Sequence, residues 1–156
     1  MAEREGMPPA TAIAFALVGY FALVVAGLGV TSLLIDRNVL VAPGAGPIPG
    51  VVGTVVSMAG VALVLTVMLR APRPSYSAAL LCALTAFLGY VLGLAIGVVV
   101  AGLGTDLLAA LVGSFVLSWF AVVLAGAGAV AGWAAVALVR TRADRPRWPW
   151  ENDEEG

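Results

Sequence analysis

The sequence predicts an all-α, polytopic membrane protein, with four transmembrane helices in a tightly packed bundle and both termini in the cytoplasm. Three observations carry that prediction. Of 156 residues, 62% are hydrophobic and 11% charged, against about 45–50% and about 25% in ordinary soluble domains; disorder needs the opposite balance. Four apolar stretches reach the length of roughly 20 residues that a helix needs to cross a hydrocarbon core of about 30 Å. The arginines fall almost wholly on one side of those stretches.

The first stretch, 11–35, follows a short N-terminus, 1–10, and holds no charged residue. Its apolar run is longer than the roughly 7–15 residues of a signal-peptide h-region, and its leader AEREG has no net positive charge, so it reads as an uncleaved helix. The connection DRNVLVAPGAGPIPG is expected to be neither helix nor strand, because Pro43, Pro47 and Pro49 alternate with Gly44, Gly46 and Gly50. It reads as a semi-rigid connector on the outer face. The second stretch, 51–69, ends at RAPRPSYS, where Pro72 and Pro74 stop the helix and Ser75 or Ser77 is placed to cap the third, 78–103. A link of only GTD leads into the fourth, 107–139, with Thr105 or Asp106 expected as its N-cap. At about 33 residues, or roughly 50 Å of helix, the fourth is too long for a simple crossing. Its first turns, LLAALVGSFVL, are therefore expected at or beyond the outer face, as a tilted continuation or an interfacial segment.

All eight basic residues are Arg. Arg4, Arg70, Arg73, Arg140, Arg142, Arg145 and Arg147 lie on one side of this topology and only Arg37, beside Asp36, on the other. Seven against one orients the chain with both termini and the RAPRP turn inside, in a cell (cytoplasmic) membrane.

Small residues recur along every stretch. The fourth carries Ser114, Ser118, Ala121, Ala125, Gly128, Gly132 and Ala135, alternating steps of four and three. The third carries Gly89, Gly93 and Gly97 as two overlapping GxxxG motifs, and the first carries Ala12, Ala16, Gly19, Ala22, Ala26 and Gly29. Lipid supplies no hydrophobic drive for helices to associate, so close backbone approach through such residues is the main packing device. The helix-packing candidates are accordingly Gly89, Gly93, Gly97, Ser114, Ser118, Gly128 and Gly132, in seams that meet inside one bundle or, turned outward, bind a partner helix or a second copy.

Several chemistries are disfavoured. There is no His, so the usual neutral-pH base and commonest metal ligand are missing, and one Cys allows neither an intrachain disulfide nor a zinc set. No acid lies within the stretches to couple a carrier to protons. Thr54, Ser57, Thr66, Thr85, Ser114 and Ser118 are few for a polar pore and mostly able to bond their own i−4 carbonyls. Cys82 reads as a small core residue. No catalytic, metal or cofactor site and no nucleic-acid partner is expected.

The tail, 140–156, holds Arg140, Arg142, Arg145 and Arg147, then Trp148 and Trp150 around Pro149, then an acidic end. Arg near a cytoplasmic leaflet attracts anionic lipid by about 1 kcal/mol per charge and Trp prefers the interface, so the tail reads as an anchor on anionic lipid. A docking peptide built on its PxxP is the alternative. The tail run ALVRTRADRPRWPWE after a small-residue helix, with PGAGPIPG in one loop and RAPRP in another, resembles a family of uncharacterised four-helix inner-membrane proteins from high-GC actinobacteria. The likeness covers most of the chain and is most specific in the tail; it implies an inner-membrane location and four crossings, and it carries no activity or site residue. The function expected is that of a non-enzymatic scaffold or accessory subunit acting through helix packing and its tail. A small transport component or oligomeric channel for an uncharged or lipidic substrate is the alternative.

Overall fold

The structure, a computed structural model, describes residues 8–36, 46–70 and 75–140. It is all-α, with five helices: α1 (Pro9–Ile35), α2 (Ile48–Leu69), α3 (Ser77–Val100), α4 (Thr105–Val116) and α5 (Trp119–Arg140). Four of them, α1, α2, α3 and α5, are long and apolar enough to cross a membrane, with peak window hydropathies between 2.2 and 2.4. The stretch read as one fourth helix is two. Its ladder stops where the Leu117 N–H reaches back to Gly113 O at 3.3 Å and the Ser118 N–H closes a tighter turn on Phe115 O at 3.0 Å; bonding resumes only with the Ala121 N–H on Ser118 O. The Ser118 hydroxyl also donates to Phe115 O, at 2.6 Å. At a helix end such a bond offers the backbone an alternative to the ladder.

The boundaries shift for local reasons. Pro9 and Pro49 both sit inside the first turn of a helix, where proline's missing N–H is an orphan anyway and its fixed φ suits the helix. The segment 46–50, expected to refuse helix, therefore contributes the start of α2. Asp36 caps α1 in the left-handed conformation (φ 47°), its N–H bonded to Ser32 O. At the start of α3 the Ser77 N–H donates to Ser75 Oγ at 3.3 Å, while Tyr76 holds the N-cap position. The other end of α3 closes on Gly102 (φ 68°): its N–H bonds Val99 O, the Leu103 N–H bonds Val98 O, and the Leu103 side chain packs on Val98. That is the Schellman arrangement, which needs a residue tolerant of positive φ. Gly104, not Thr105 or Asp106, is the N-cap of α4. Its carbonyl takes the Leu107 and Leu108 N–H groups, which moves Asp106 into the first turn, where a carboxylate still suits the helix dipole.

The four long helices form a ring in the order α1, α2, α3, α5, with α4 against the outside of α3. Of the Asp, Glu, Arg and Lys among the described residues, Arg70 and Arg140 stand at one end of the bundle and Asp36 and Asp106 at the other. Buried positions step by four in three helices: Ala12, Ala16, Tyr20 and Val24 in α1; Pro49, Gly53, Ser57, Val61, Leu65 and Leu69 in α2; Ala78, Cys82, Ala86, Tyr90, Leu94 and Val98 in α3. Each such step advances about 40° around a helix of 3.6 residues per turn, so these stripes wind around their helices. In α5 the buried Ala121, Leu124, Gly128, Ala131 and Ala135 alternate three and four, a straighter seam. Large side chains facing outward, such as Leu33 and Leu80, are apolar, as a lipid-facing surface requires.

Candidate functional site: packing seams, a polar clasp and the α3/α4 groove

The closest helix approach is between α2 and α3. A Cβ built on Gly97 would lie 2.5 Å from Pro49 Cα, one on Gly93 2.6 Å from Gly53 Cα, and one on Gly89 2.9 Å from Ser57 Cα. Any side chain there would meet backbone, so three glycines at steps of four hold the two helices at main-chain contact. On its other flank α3 meets α5 in the same way. A Cβ on Gly128 would come within 2.7 Å of Cys82 O, and one on Gly132 within 2.8 Å of Ala78 O. Gly89, Gly93, Gly97, Gly128 and Gly132 are thus brought together on α3 as the interior contact. Ser114 and Ser118 are not: Ser114 is exposed, Ser118 sits at the α4/α5 break, and their hydroxyls bond Leu111 O and Phe115 O in their own turns. The four-three seam expected through the whole stretch stops at that break, where α4 ends at Val116 and a new helix starts at Trp119.

In α1 the small residues divide. Ala12 and Ala16 are buried, but Gly19, Ala22, Ala26 and Gly29 are exposed, with no atom within 4 Å of where a Cβ would stand on Gly19 or Gly29. The inner face of α1 is fixed instead by Gly27 against Val123 and by a polar clasp.

That clasp joins three helices. Ser57 Oγ donates to Ala86 O at 2.8 Å and lies 2.5 Å from the Tyr20 hydroxyl. Since the serine proton is committed to Ala86, Tyr20 donates to Ser57. Thr54 and Thr66 bond their own i−4 carbonyls, Gly50 O and Ala62 O, as the sequence suggests for the hydroxyls generally. Ser57 departs from this because it faces α3 where Gly89 leaves no side chain in the way. No reading of the sequence singled out Tyr20, and the one available signal was a tyrosine in the middle of an otherwise apolar stretch.

The outer face of α3 is different. Tyr90, whose ring fills the notch at Gly53, stacks on Phe115 of α4 with centroids 4.6 Å apart and planes at 29°. Leu111 packs with Val98 nearer the end of α3. Between these contacts and the surroundings runs an open apolar groove of about 660 Å³, walled by Leu88, Val91, Leu92 and Ala95 on α3 and by Thr105, Leu108, Ala109, Val112 and Gly113 on α4. A smaller continuation of about 300 Å³ shares Ala95 and Leu108 and follows Ile96, Val99 and Val100 to the end of α3.

At the opposite end of the bundle the Arg140 guanidinium lies over the Tyr76 ring, 5.1 Å from its centroid, a cation–π contact that ties the end of α5 to the start of α3. Arg142, Arg145, Arg147, Trp148 and Trp150, the remaining lipid or partner candidates, lie outside the described residues. Cys82 is buried with its thiol free.

Comparison with known proteins gives a family model, described as a family of unknown function (DUF6121), that matches residues 1–156. No curated protein and no solved structure matches the chain.

Proposed function

The chain belongs to the DUF6121 family, whose function is unknown, and we propose that it is a multi-pass protein of the cell membrane that works without catalysis, as a scaffold or accessory subunit. The observation that carries this reading is how the interior is used. Gly89, Gly93 and Gly97 lie on the α2 main chain, Gly128 and Gly132 on the α3 main chain, and Tyr20, Tyr90, Leu65, Leu94 and Leu124 fill the space between. A closed centre suits a structural element better than a conduit. The outward strip of Gly19, Ala22, Ala26 and Gly29 on α1 leaves a face on which the helix of another membrane protein would pack closely.

An orientation with both termini cytoplasmic draws support from Arg70 and Arg140 at one end and Asp36 and Asp106 at the other, and from seven arginines against one in the sequence. The tail, with Arg142, Arg145, Arg147, Trp148 and Trp150, then faces anionic lipid at the cytoplasmic surface.

Affinity purification from native membranes, with and without Ala22→Leu and Ala26→Leu, tests the scaffold reading. A membrane-protein partner lost with those substitutions is the expected result; a second copy lost with them makes the face a homodimer contact, and no loss of any partner overturns the α1 assignment. The second reading, a transport component for an uncharged or lipidic substrate, is favoured by the broken α4/α5 pair, since discontinuous helices often mark transporter sites. Flux above empty vesicles by the purified protein would replace the scaffold reading with it.

A further inference from the structure

We propose that the groove between α3 and α4 holds one acyl chain of a bilayer lipid from the leaflet at the Asp106 end, with the lipid's ammonium headgroup beside Asp106. The inference rests on the membrane-spanning reading and goes beyond the scaffold role. Its first support is length. Along α3 the groove and its continuation run from Leu88 to Val100, a rise of about 18 Å along the helix. One leaflet contributes about half of a hydrocarbon core of about 30 Å. The groove therefore starts at one end of the bundle and stops at Leu88, near the middle of α3 and close to the level of the Tyr90–Phe115 stack. A cleft for a partner helix would run on across the whole span; this one has the reach of a single chain.

The second support is the distribution of polarity. Every wall residue is apolar or glycine except Thr105, and Thr105 is the first residue of α4, at the bundle end where headgroups lie. Asp106 follows it, exposed, on the same strip of α4 as Ala109 and Gly113, which line the groove three and seven residues on. Asp36 is at the same end, and among the described residues both arginines are at the other. A carboxylate on the rim attracts the ammonium of a zwitterionic headgroup and repels a headgroup whose only charge is its phosphate, so phosphatidylethanolamine fits and phosphatidylglycerol does not. The third support is that the rim is open: Gly113 has no atom within 4 Å of where its Cβ would stand, so a chain in the plane of the bilayer enters from the side.

The test uses the full chain in vesicles of phosphatidylethanolamine and phosphatidylglycerol carrying a trace of photoactivatable lipid with the reactive group in the acyl chain, bearing one headgroup or the other. Expected are adducts concentrated in 88–100 and 105–113, several-fold stronger with the ethanolamine probe. Ala109→Trp combined with Gly113→Trp should cut those adducts about tenfold, while Leu63→Trp, on the exposed side of α2, leaves them unchanged. Asp106→Asn should keep the adducts but bring the two headgroups to parity. Adducts spread evenly over the outer faces of all the helices, or undiminished by the tryptophans, overturn the site. A headgroup preference that survives Asp106→Asn overturns the ammonium assignment. Extraction of the protein from membranes by alkaline wash, measured first, would instead overturn the membrane-spanning reading itself.

Discussion

The two faces of α3 solve the same packing problem in opposite ways. Toward α2, Gly89, Gly93 and Gly97 present no side chain at the line of contact, and there the helices meet at Pro49, Gly53 and Ser57 through their main chains. Toward α4, Leu88, Leu92 and Ala95 keep the neighbour at a distance; Val98 with Leu111 and Tyr90 with Phe115 bridge the gap, and a groove is left beside them. Since lipid tails are as apolar as leucine, helices gain by associating only where packing or hydrogen bonds beat those with lipid. The glycine face achieves this along several turns, the leucine face at two points. The first should be the rigid part of the bundle and the second the yielding one.

The largest effect is expected from placing a side chain in the tight seam. Gly93→Leu puts atoms where Gly53 Cα and Val52 O already stand, so the helices must part, at a cost of about 3 kcal/mol or more; thermal unfolding in detergent should show a large drop in Tm or loss of the folded species. On the other face, Phe115→Ala removes the stacked ring, and its effect should stay local. Hydrogen exchange across 107–116 should speed by at least roughly tenfold, equivalent to about 1.4 kcal/mol, with 85–97 unchanged. Equal acceleration in both would erase the distinction between the faces.

The clasp sharpens the comparison, because it lies on the tight side. Ser57→Ala removes both bonds and leaves the buried Tyr20 hydroxyl without its acceptor, a loss of about 1–3 kcal/mol. Tyr20→Phe removes one bond and keeps Ser57 on Ala86 O, for about 0.6–1.5 kcal/mol in a bilayer. Chemical denaturation of the two single variants should rank them in that order. The smallest effect is a gain: Gly126→Ala meets no atom within 4 Å and should stabilise α5 by about 0.5 kcal/mol through backbone entropy. A glycine that tolerates alanine here, beside Gly128, which does not, would show that position in the seam and not glycine content sets the packing.

How far the sequence reached follows from the same physics. Stretches without charge are visible because lipid excludes charge, and four long apolar helices are present. The length of the fourth stretch already set LLAALVGSFVL apart from a simple crossing, and α4 ends at Val116 before α5 begins at Trp119; no proline or charge marks the break itself, so hydropathy alone does not show it. Which stripe faces inward was hidden. In helices apolar on every side periodicity carries little contrast, so the outward Gly19, Ala22, Ala26 and Gly29 looked like the inward Gly89, Gly93 and Gly97. The start of α2 at Ile48 was missed because Pro49 was read as a breaker where it suits a first turn. The clasp needed the third dimension, since Tyr20 and Ser57 are 37 residues apart.

The seam between α2 and α3 can be tested by asking whether its two halves belong to one chain. A Cβ on Gly60 would lie 2.7 Å from Thr85 Cγ2, close enough for cysteines at these two positions to join. In a background with Cys82→Ala, the double variant Gly60→Cys, Thr85→Cys should form an intrachain disulfide on mild oxidation in membranes and run as a compact monomer. Covalent dimers in place of that monomer would show that these glycine faces meet between chains, and would contradict the closed bundle on which the scaffold reading stands.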